Sequence, residues 1–171
     1  MEKENSVLVL GVGPDQGLGV ALCKKFAEEG FRVFGCGRNI ENMKALDKLS
    51  VENGSIEGIV ADVTNPDDVK KVFEDIDKTQ TVLKSVIYNA GNNNASPFLE
   101  MDLAFFQDLW EVCAKGAFLI SQQAIPRLLN EGGSIIFTGA TASIRSRPPF
   151  TAFAAAKSAE RSLAQGLAKE F

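Results

Sequence analysis

Short apolar runs alternate with longer segments of helical periodicity along the whole chain. Runs rich in β-branched and aromatic side chains predict five strands, at residues 7–10, 31–34, 56–60, 83–88 and 134–137. Two of these runs are almost purely apolar, which is typical of central parallel strands covered on both faces. Helical spacing predicts helices from three sets of apolar residues: Val20, Leu22, Cys23, Phe26 and Ala27; Met43, Leu46 and Leu49; Val69, Val72, Phe73 and Ile76. Longer helical patterns cover residues 102–129 and 151–171.

Helix-end signals and the strict alternation of elements indicate the fold class. Asn65, followed by Pro66 and two aspartates, predicts a capped helix start, and Gly30 predicts the end of an earlier helix. Alternating strands and helices indicate crossover connections, which are right-handed almost without exception, and a parallel sheet. We therefore expect one α/β domain over residues 1–171, a doubly wound parallel sheet in a Rossmann-like three-layer α/β/α arrangement.

Composition narrows the possible chemistry. Hydrophobic residues make up 45% of the chain and charged residues 23%, an ordinary globular balance. The net charge of −4 argues against nucleic acid as the main partner, because phosphate binding needs a basic face. The absence of histidine excludes His-based triads and His metal ligands. Three scattered cysteines, and no apolar run near the ~20 residues of a membrane span, predict a cytoplasmic protein without a metal site.

A glycine-rich turn follows the first predicted strand and leads directly into a helix. It contains Gly11, Gly13, Gly17 and Gly19. Backbone N–H groups with no Cβ in the way can approach a pyrophosphate, and the helix N-terminus adds positive potential. The turn therefore predicts dinucleotide binding by the main-chain amides of residues 13–19. The alternative is a tight turn that merely needs glycine.

The spacing Gly13-x-x-x-Gly17-x-Gly19 resembles the glycine motif of the short-chain dehydrogenase/reductase family. Further residues match the family's pattern in the right order: Asp62-Val63, Asn89-Ala90-Gly91, Trp110, Gly116, Phe118 and Lys157. The resemblance covers the whole chain and implies an oxidoreductase that uses a nicotinamide dinucleotide on a carbonyl or hydroxyl substrate. It implies cofactor contacts at Gly11, Gly13, Gln16, Gly17, Leu18, Gly19, Arg38, Asp62, Val63, Asn89, Ala90, Gly91 and Lys157.

The end of the second strand bears on the choice between NADP and NAD. Gly37 stands where NAD-preferring members of the family carry an acid, and Arg38 follows it. A guanidinium pairs well with a 2′-phosphate, whereas an acid would bind the ribose hydroxyls. This favours NADP(H) over NAD(H). Against it, Gln16 is not the basic residue common in NADP-binding members, and Arg38 is alternatively a solvated loop residue.

The family's catalytic pattern is incomplete in this chain. The resemblance implies a Tyr that supplies a proton, a Lys one helical turn later, a Ser that holds the substrate oxygen and an Asn that completes a proton relay. Phe153, Ala140 and Cys113 stand at the Tyr, Ser and Asn positions, and only Lys157 remains, in a ribose-binding role. Two functions stay open: an oxidoreductase with weakened catalysis, or a non-catalytic dinucleotide-binding sensor or scaffold.

Few other side chains could supply the missing proton. The only tyrosine, Tyr88, lies within the fourth predicted strand and is expected to pack under a helix. Cys113 could act as an acid only if exposed. The hydroxyls of Thr138, Thr141 and Ser143 could contact a substrate, but neutral alcohols are poor proton donors at pH 7.

The resemblance also implies structure beyond Phe171 and a second subunit. The family's domain continues with two further strands and a substrate-covering segment, so the domain is expected to be C-terminally incomplete here. The fifth strand would then be an apolar sheet edge that needs a partner. Helices 102–129 and 151–170 resemble the pair through which family members form homodimers or homotetramers. The second helix has an alanine-rich face, which would either allow close approach of a helix from another subunit, pack on its own sheet, or do both. Its residues are Ala152, Ala154, Ala155, Ala156 and Ala159. Arg145 and Arg147 either attract an anionic substrate or are solvated.

Overall fold

The computed structural model describes residues 3–171 and contains one five-stranded parallel sheet. The strands are β1 (Asn5–Leu10), β2 (Arg32–Gly37), β3 (Ser55–Val60), β4 (Val82–Tyr88) and β5 (Ser134–Phe137). They lie in the order β3-β2-β1-β4-β5, and every neighbouring pair is parallel. This confirms the doubly wound α/β fold expected from the alternation of elements.

Among residues 3–171, five α-helices lie between consecutive strands and a sixth follows β5. They are α1 (Leu18–Glu28), α2 (Ile40–Leu46), α3 (Pro66–Lys78), α4 (Leu103–Trp110), α5 (Gly116–Glu131) and α6 (Thr151–Glu170). The boundary signals are confirmed, because the Asn65 side chain accepts hydrogen bonds from the first amides of α3 and Gly30 has a φ of +89° just after α1. Leu49, which the apolar spacing placed with α2, lies beyond the end of that helix.

The predicted helix over residues 102–129 is interrupted in the structure. A π-helical segment, Glu111–Lys115, separates α4 from α5. A π-helical turn disturbs the regular backbone hydrogen bonds and makes a carbonyl accessible to a side chain. The Tyr88 hydroxyl donates a hydrogen bond to the Val112 carbonyl, and Gly116 gives that hydroxyl the room it needs. Hydrophobic spacing alone cannot reveal such a change, because the apolar face continues through it.

Alternate side chains of the central strand support two separate cores. Val7 and Val9 pack on one face of the sheet, with α1 and α2, whereas Leu8 and Leu10 pack on the other, with α3 and α5. All four side chains are fully buried. At ~1.5–3 kcal/mol for each fully buried side chain of this size, this patterning is a major source of stability.

The β5 side of the sheet is open among the described residues. β5 pairs with β4 and with no other strand in residues 3–171, and its Ile136 side chain is 48% exposed. Beside it, an apolar groove of about 390 Å³ runs between α5 and α6. An unpaired apolar edge is the feature that the sequence predicted, and its covering by a partner stays a prediction.

The alanine-rich face of α6 is partly used within the chain. Ala152 and Ala156 are buried against Leu109 and Cys113, while Ala155 and Ala159 are half-buried. Association of two chains through these helices therefore stays a prediction. Within residues 3–171, no helix combines the length and the apolar character needed to cross a membrane.

Candidate functional site

The carboxyl ends of the strands form a cleft where the chain reverses its direction of winding. The connections from β1 run first towards β2 and β3, then back past β1 to β4 and β5, so the loops separate at β1. In open α/β sheets this switch point is where ligands bind. A cleft of about 190 Å³ lies there, lined by Gly11, Val12, Gly13, Cys36, Gly37, Arg38, Ala61, Asp62, Val63, Ala90, Gly91, Asn92 and Val112.

The glycine turn is closely packed on one side and open on the other. A Cβ at Gly11, whose φ is +81°, would lie 2.6 Å from the Asn89 carbonyl carbon, and a Cβ at Gly19 would lie 2.9 Å from the Gly11 oxygen. A Cβ at Gly13 would have no atom within 4 Å. Gly11 and Gly19 therefore serve backbone packing, whereas Gly13 borders open space at the cleft.

The helix α1 begins without a side-chain cap, as α5 and α6 do, whereas α2, α3 and α4 begin with one. The side chains of Asn39, Asn65 and Asp102 accept backbone hydrogen bonds at the starts of α2, α3 and α4. The N-cap of α1 is Gly17, which has no side chain to cap the helix, and the first turn of α1 contains no acidic residue. The first backbone N–H groups of any helix lack intrahelical acceptors, and they lie at the positive end of its dipole. These groups are therefore available to an anion.

The wall formed by β2 and β3 contains the residues predicted to contact the adenosine part of a dinucleotide. Arg38 is exposed directly after β2, and Gly37 packs so closely that a Cβ there would overlap the Val12 carbonyl oxygen. The Asp62 carboxylate accepts hydrogen bonds from the Thr64 amide and hydroxyl, at 2.9 and 2.8 Å. Asp62 thus shapes the turn that leads to α3 while it lines the cleft.

A continuous chain of hydrogen bonds joins the glycine turn to α6. The Asn89 Nδ2 group donates to the Gly11 carbonyl at 3.1 Å, and the Thr138 hydroxyl donates to Asn89 Oδ1 at 3.1 Å. Lys157 Nζ then donates to the Thr138 carbonyl at 2.9 Å. These bonds hold the ends of β1, β4 and β5 in register, so Asn89 acts behind the cleft rather than as part of its lining.

Lys157 forms a buried ion pair with Glu160. The Nζ–Oε2 distance is 2.7 Å, and the two side chains are 6% and 2% exposed. Burial raises the pKa of the Glu160 carboxyl, and the hydrogen bond and charge of Lys157 oppose that rise. Sequence reasoning missed Glu160, because a glutamate on a helix is normally a solvated residue. Its position one turn after Lys157 is the only signal that could have pointed to it.

The three positions where the family's catalytic groups were expected lie close to this pair or to the end of β5. Phe153 is half-buried against an apolar cluster that includes Leu109 and Cys113. Cys113 is fully buried within the π-helical segment. Ala140 precedes a short 3₁₀ turn, Thr141–Ser143, and its carbonyl accepts the Ser143 hydroxyl at 2.7 Å. The assignment of these positions to lost catalytic groups stays a prediction.

Tyr88 is fully buried, as expected from its place inside a strand. Burial raises the pKa of its hydroxyl, and the nearby Glu160 carboxylate raises it further. The hydroxyl also donates to the Val112 carbonyl. A phenol that is buried, hydrogen-bonded and hard to ionise is not placed to supply a proton to a substrate in the cleft.

We expect no rapidly reacting thiol in the native chain. All three cysteines are buried. Burial raises the pKa of Cys23 and Cys36 to about 12 and also raises that of Cys113, so the thiols stay protonated at neutral pH. Titration with a disulfide reagent at pH 8 should detect three thiols in urea and none within minutes in buffer. Fast labelling of Cys113 in buffer would contradict this and would make it a candidate acid.

The structure brings together only part of the predicted cofactor set. The predicted residues that line the cleft are Gly11, Gly13, Arg38, Asp62, Val63, Ala90 and Gly91, and those outside its lining are Gln16, Gly17, Leu18, Gly19, Asn89 and Lys157. Gln16 and Leu18 are exposed on the glycine turn and the start of α1, and the Gly17 amide donates to the Pro14 carbonyl at 2.8 Å. The cleft lining also contains residues that were not predicted as cofactor contacts: Val12, Cys36, Gly37, Ala61, Asn92 and Val112.

Comparison with known proteins gives a consistent result. The chain matches the family model "short chain dehydrogenase" over residues 6–171. It is 30% identical to the uncharacterized oxidoreductase YuxG of Bacillus subtilis, over 95% of this chain and 24% of that protein. It is 31% identical to the NADPH-dependent 1-acyldihydroxyacetone phosphate reductase of Schizosaccharomyces pombe, over 94% of this chain and 51% of that protein.

A solved structure extends the likeness to three dimensions. A short-chain dehydrogenase from Rhodopseudomonas palustris superimposes with a TM-score of 0.87 at 35% identity, covering 97% of this chain and 78% of that one. The chain spans less than two thirds of the length of the first curated relatives that it matches. Because the family match covers almost every residue and the fold agrees with it, the chain belongs to the short-chain dehydrogenase family of oxidoreductases.

Proposed function

We propose that this chain binds a nicotinamide dinucleotide, NADP(H) in preference to NAD(H), in the cleft at the carboxyl ends of β1–β4. The observation that carries the proposal is the uncapped start of α1 beside the open side of Gly13. Free backbone N–H groups, a positive helix dipole and the absence of a Cβ are what a pyrophosphate requires. In this proposal the free N–H groups among residues 13–19 hold the pyrophosphate. The Gly17 amide already donates to the Pro14 carbonyl, and Pro14 has no N–H.

The residues around the cleft fit such a ligand. Gly13 leaves room for a phosphate to approach the backbone, and the Asn89–Thr138–Lys157 hydrogen bonds keep the ends of β4 and β5 in place. A bound nicotinamide would supply hydride transfer to or from a carbonyl or hydroxyl group. The chain's own contribution would be to bind and orient: Asp62 and Val63 beside the adenine, and Lys157 at the nicotinamide ribose.

The proposed preference for NADP(H) rests on two residues at the carboxyl end of β2, Gly37 and Arg38. The close approach of Gly37 to the Val12 carbonyl leaves no space for an acidic side chain at that position, so no carboxylate there would repel a 2′-phosphate. The exposed Arg38 guanidinium follows immediately and can pair with that phosphate. The Schizosaccharomyces pombe relative named above is described as NADPH-dependent.

We expect Arg38→Ala to weaken NADPH binding about tenfold or more while it leaves NADH binding within about twofold. A charge-assisted pair with phosphate contributes ~1.5–3 kcal/mol, and 1.4 kcal/mol corresponds to a factor of about ten. Fluorescence titration of each variant with NADPH and with NADH measures the ratio of the two affinities. Arg161→Ala, an exposed arginine on α6 away from the cleft, serves as the matched control.

Two results would contradict this assignment in different ways. If the unmodified chain binds neither nucleotide, dinucleotide binding itself is wrong. If Arg38→Ala and Arg161→Ala bind NADPH equally well, Arg38 does not contact the 2′-phosphate, and the preference for NADP(H) loses its basis.

The proposed activity is oxidoreduction of a carbonyl or hydroxyl substrate with weakened catalysis. Phe153, Ala140 and Cys113 cannot donate a proton, hold a substrate oxygen or continue a relay as Tyr, Ser and Asn would. Loss of a general acid alone typically costs ~10²–10⁴ in rate. The same three residues favour a second candidate, a non-catalytic dinucleotide-binding sensor or scaffold, and turnover measurements on restored variants distinguish the two.

A further inference from the structure

The Lys157–Glu160 pair is the only ion pair among residues 3–171 in which both partners are almost completely buried. The two residues lie one turn apart on α6, beside the apolar cluster of Leu109, Cys113 and Ala156. Removing two charges from water is costly, and their attraction often does no more than offset that cost. Replacing such a buried pair with apolar residues is often neutral or stabilising, so stability alone does not explain it. The pair is better explained by what it does for Lys157.

The ammonium group of Lys157 lies beside Gly91, a residue of the cleft lining. A Cβ at Gly91, which lines the cleft, would be 3.5 Å from Nζ. Nζ donates to the Thr138 carbonyl at 2.9 Å and to Glu160 Oε2 at 2.7 Å. An ammonium group has more N–H donors than these two contacts use. It can therefore make a further hydrogen bond beside Gly91.

We propose that Glu160 is a positioning residue for the dinucleotide site: its carboxylate fixes the Lys157 ammonium beside Gly91, where it can hydrogen-bond the nicotinamide ribose. The inference rests on the proposed function, because the ribose contact of Lys157 belongs to that proposal. Without Glu160, the head group of Lys157 would be free to move towards water.

The surroundings of the pair support a role beyond packing. Glu160 Oε1 is buried without a hydrogen-bond partner among the described residues, and an apolar side chain at this position would avoid that cost. The groups that face the pair from neighbouring elements are Cys113 in the π-helical segment, Tyr88 on β4 and the Thr138 carbonyl after β5. None of them is a carboxylate, so Glu160 is the one carboxylate among the described residues that contacts Lys157 Nζ.

The test compares a whole dinucleotide with a fragment that lacks the nicotinamide half. Glu160→Gln keeps the shape of the side chain and removes its charge, and we expect it to bind NADPH about tenfold more weakly. That factor corresponds to about 1.4 kcal/mol, which lies within the range of coupling energies between contacting residues. Binding of 2′,5′-ADP, which contains only the adenosine side, should stay within about twofold. Glu170→Gln, at the end of the same helix and exposed, is the matched control. If the unmodified chain prefers NADH, then NADH and ADP replace this ligand pair.

Each outcome supports or overturns the inference. Equal loss of NADPH and 2′,5′-ADP binding would mean that Glu160 only supports the fold, and unchanged binding of both would mean that it does not act on the site. Failure of the unmodified chain to bind either ligand would overturn the proposed function, and the inference with it.

A second pair of variants covers the case in which Glu160→Gln does not fold. Lys157→Met and the double variant Lys157→Met with Glu160→Leu should bind NADPH equally, because Glu160 is inferred to act only through Lys157. The double variant replaces a buried ion pair with apolar side chains, a change that is often neutral or stabilising. If it binds NADPH more weakly than Lys157→Met while binding 2′,5′-ADP equally, Glu160 acts on the site directly and the inference is wrong.

Discussion

Gly11→Ala is expected to lower the free energy of unfolding by about 3 kcal/mol or more, enough to unfold much of a marginally stable domain. Gly11 has a φ of +81°, which is unfavourable for residues with a Cβ. A methyl group there would also lie 2.6 Å from the Asn89 carbonyl carbon, where the ends of β1 and β4 meet. Since both obstacles are backbone atoms or angles, a side-chain rotation cannot relieve them. Urea denaturation followed by circular dichroism measures the change.

Gly13→Ala is the matched control within the same turn. A Cβ at Gly13 would have no atom within 4 Å, so the free energy of unfolding should change by less than about 0.5 kcal/mol. Its methyl group would occupy the open side of the turn, and NADPH binding should weaken even though the fold is kept. Equal destabilisation by the two variants would contradict the division of roles between these glycines.

Phe153→Tyr combined with Ala140→Ser is expected to raise the rate of NADPH-dependent carbonyl reduction about 10²–10⁴-fold, the range of a restored general acid. Residues 153 and 157 lie one turn apart on α6, so a Tyr hydroxyl would share a helix face with the Lys157 ammonium. That charge would lower the pKa of the phenol and favour proton exchange with a substrate oxygen. A panel of aldehydes and ketones, assayed by NADPH absorbance, measures the change.

The same double replacement in a Lys157→Met background separates this effect from nonspecific changes. There the gain should largely disappear, because the phenol would lack the neighbouring positive charge. If the restored variant binds NADPH but reduces no carbonyl faster than the unmodified chain, more than these side chains is missing. The non-catalytic sensor or scaffold would then be the better description.

The strands, and the covering of the sheet by helices on both faces, could be predicted because they depend on local periodicity and on the alternation of elements. Val7, Leu8, Val9 and Leu10 form one apolar run, and a run of this length bounded by polar residues and glycine predicts a strand covered on both faces. The π-helical segment could not be predicted in this way. It depends on Tyr88, a residue distant in sequence, whose hydroxyl reaches the Val112 carbonyl only after the sheet has formed.

In the candidate site too, the features set by neighbouring residues in sequence could be predicted and those set by tertiary packing could not. The glycine turn and Arg38 could be identified because backbone-phosphate contacts need residues of these types next to one another in sequence. The roles of Asn89 and Glu160 could not. Asn89 lies behind the cleft because its amide bridges Gly11 and Thr138, and Glu160 is buried because α6 packs on the π-helical segment. Both facts follow from tertiary packing, which no local pattern contains.

The central claim is that the free backbone N–H groups among residues 13–19 hold the pyrophosphate of a dinucleotide at the start of α1. A crystal structure of the chain with NADP⁺ tests it most directly, because it locates the phosphates relative to these amides. The account predicts density for the pyrophosphate within hydrogen-bonding distance of several amides in this turn, with the 2′-phosphate beside Arg38. Density in another part of the molecule, or a glycine turn closed to the nucleotide by Pro14 and Asp15, would contradict it.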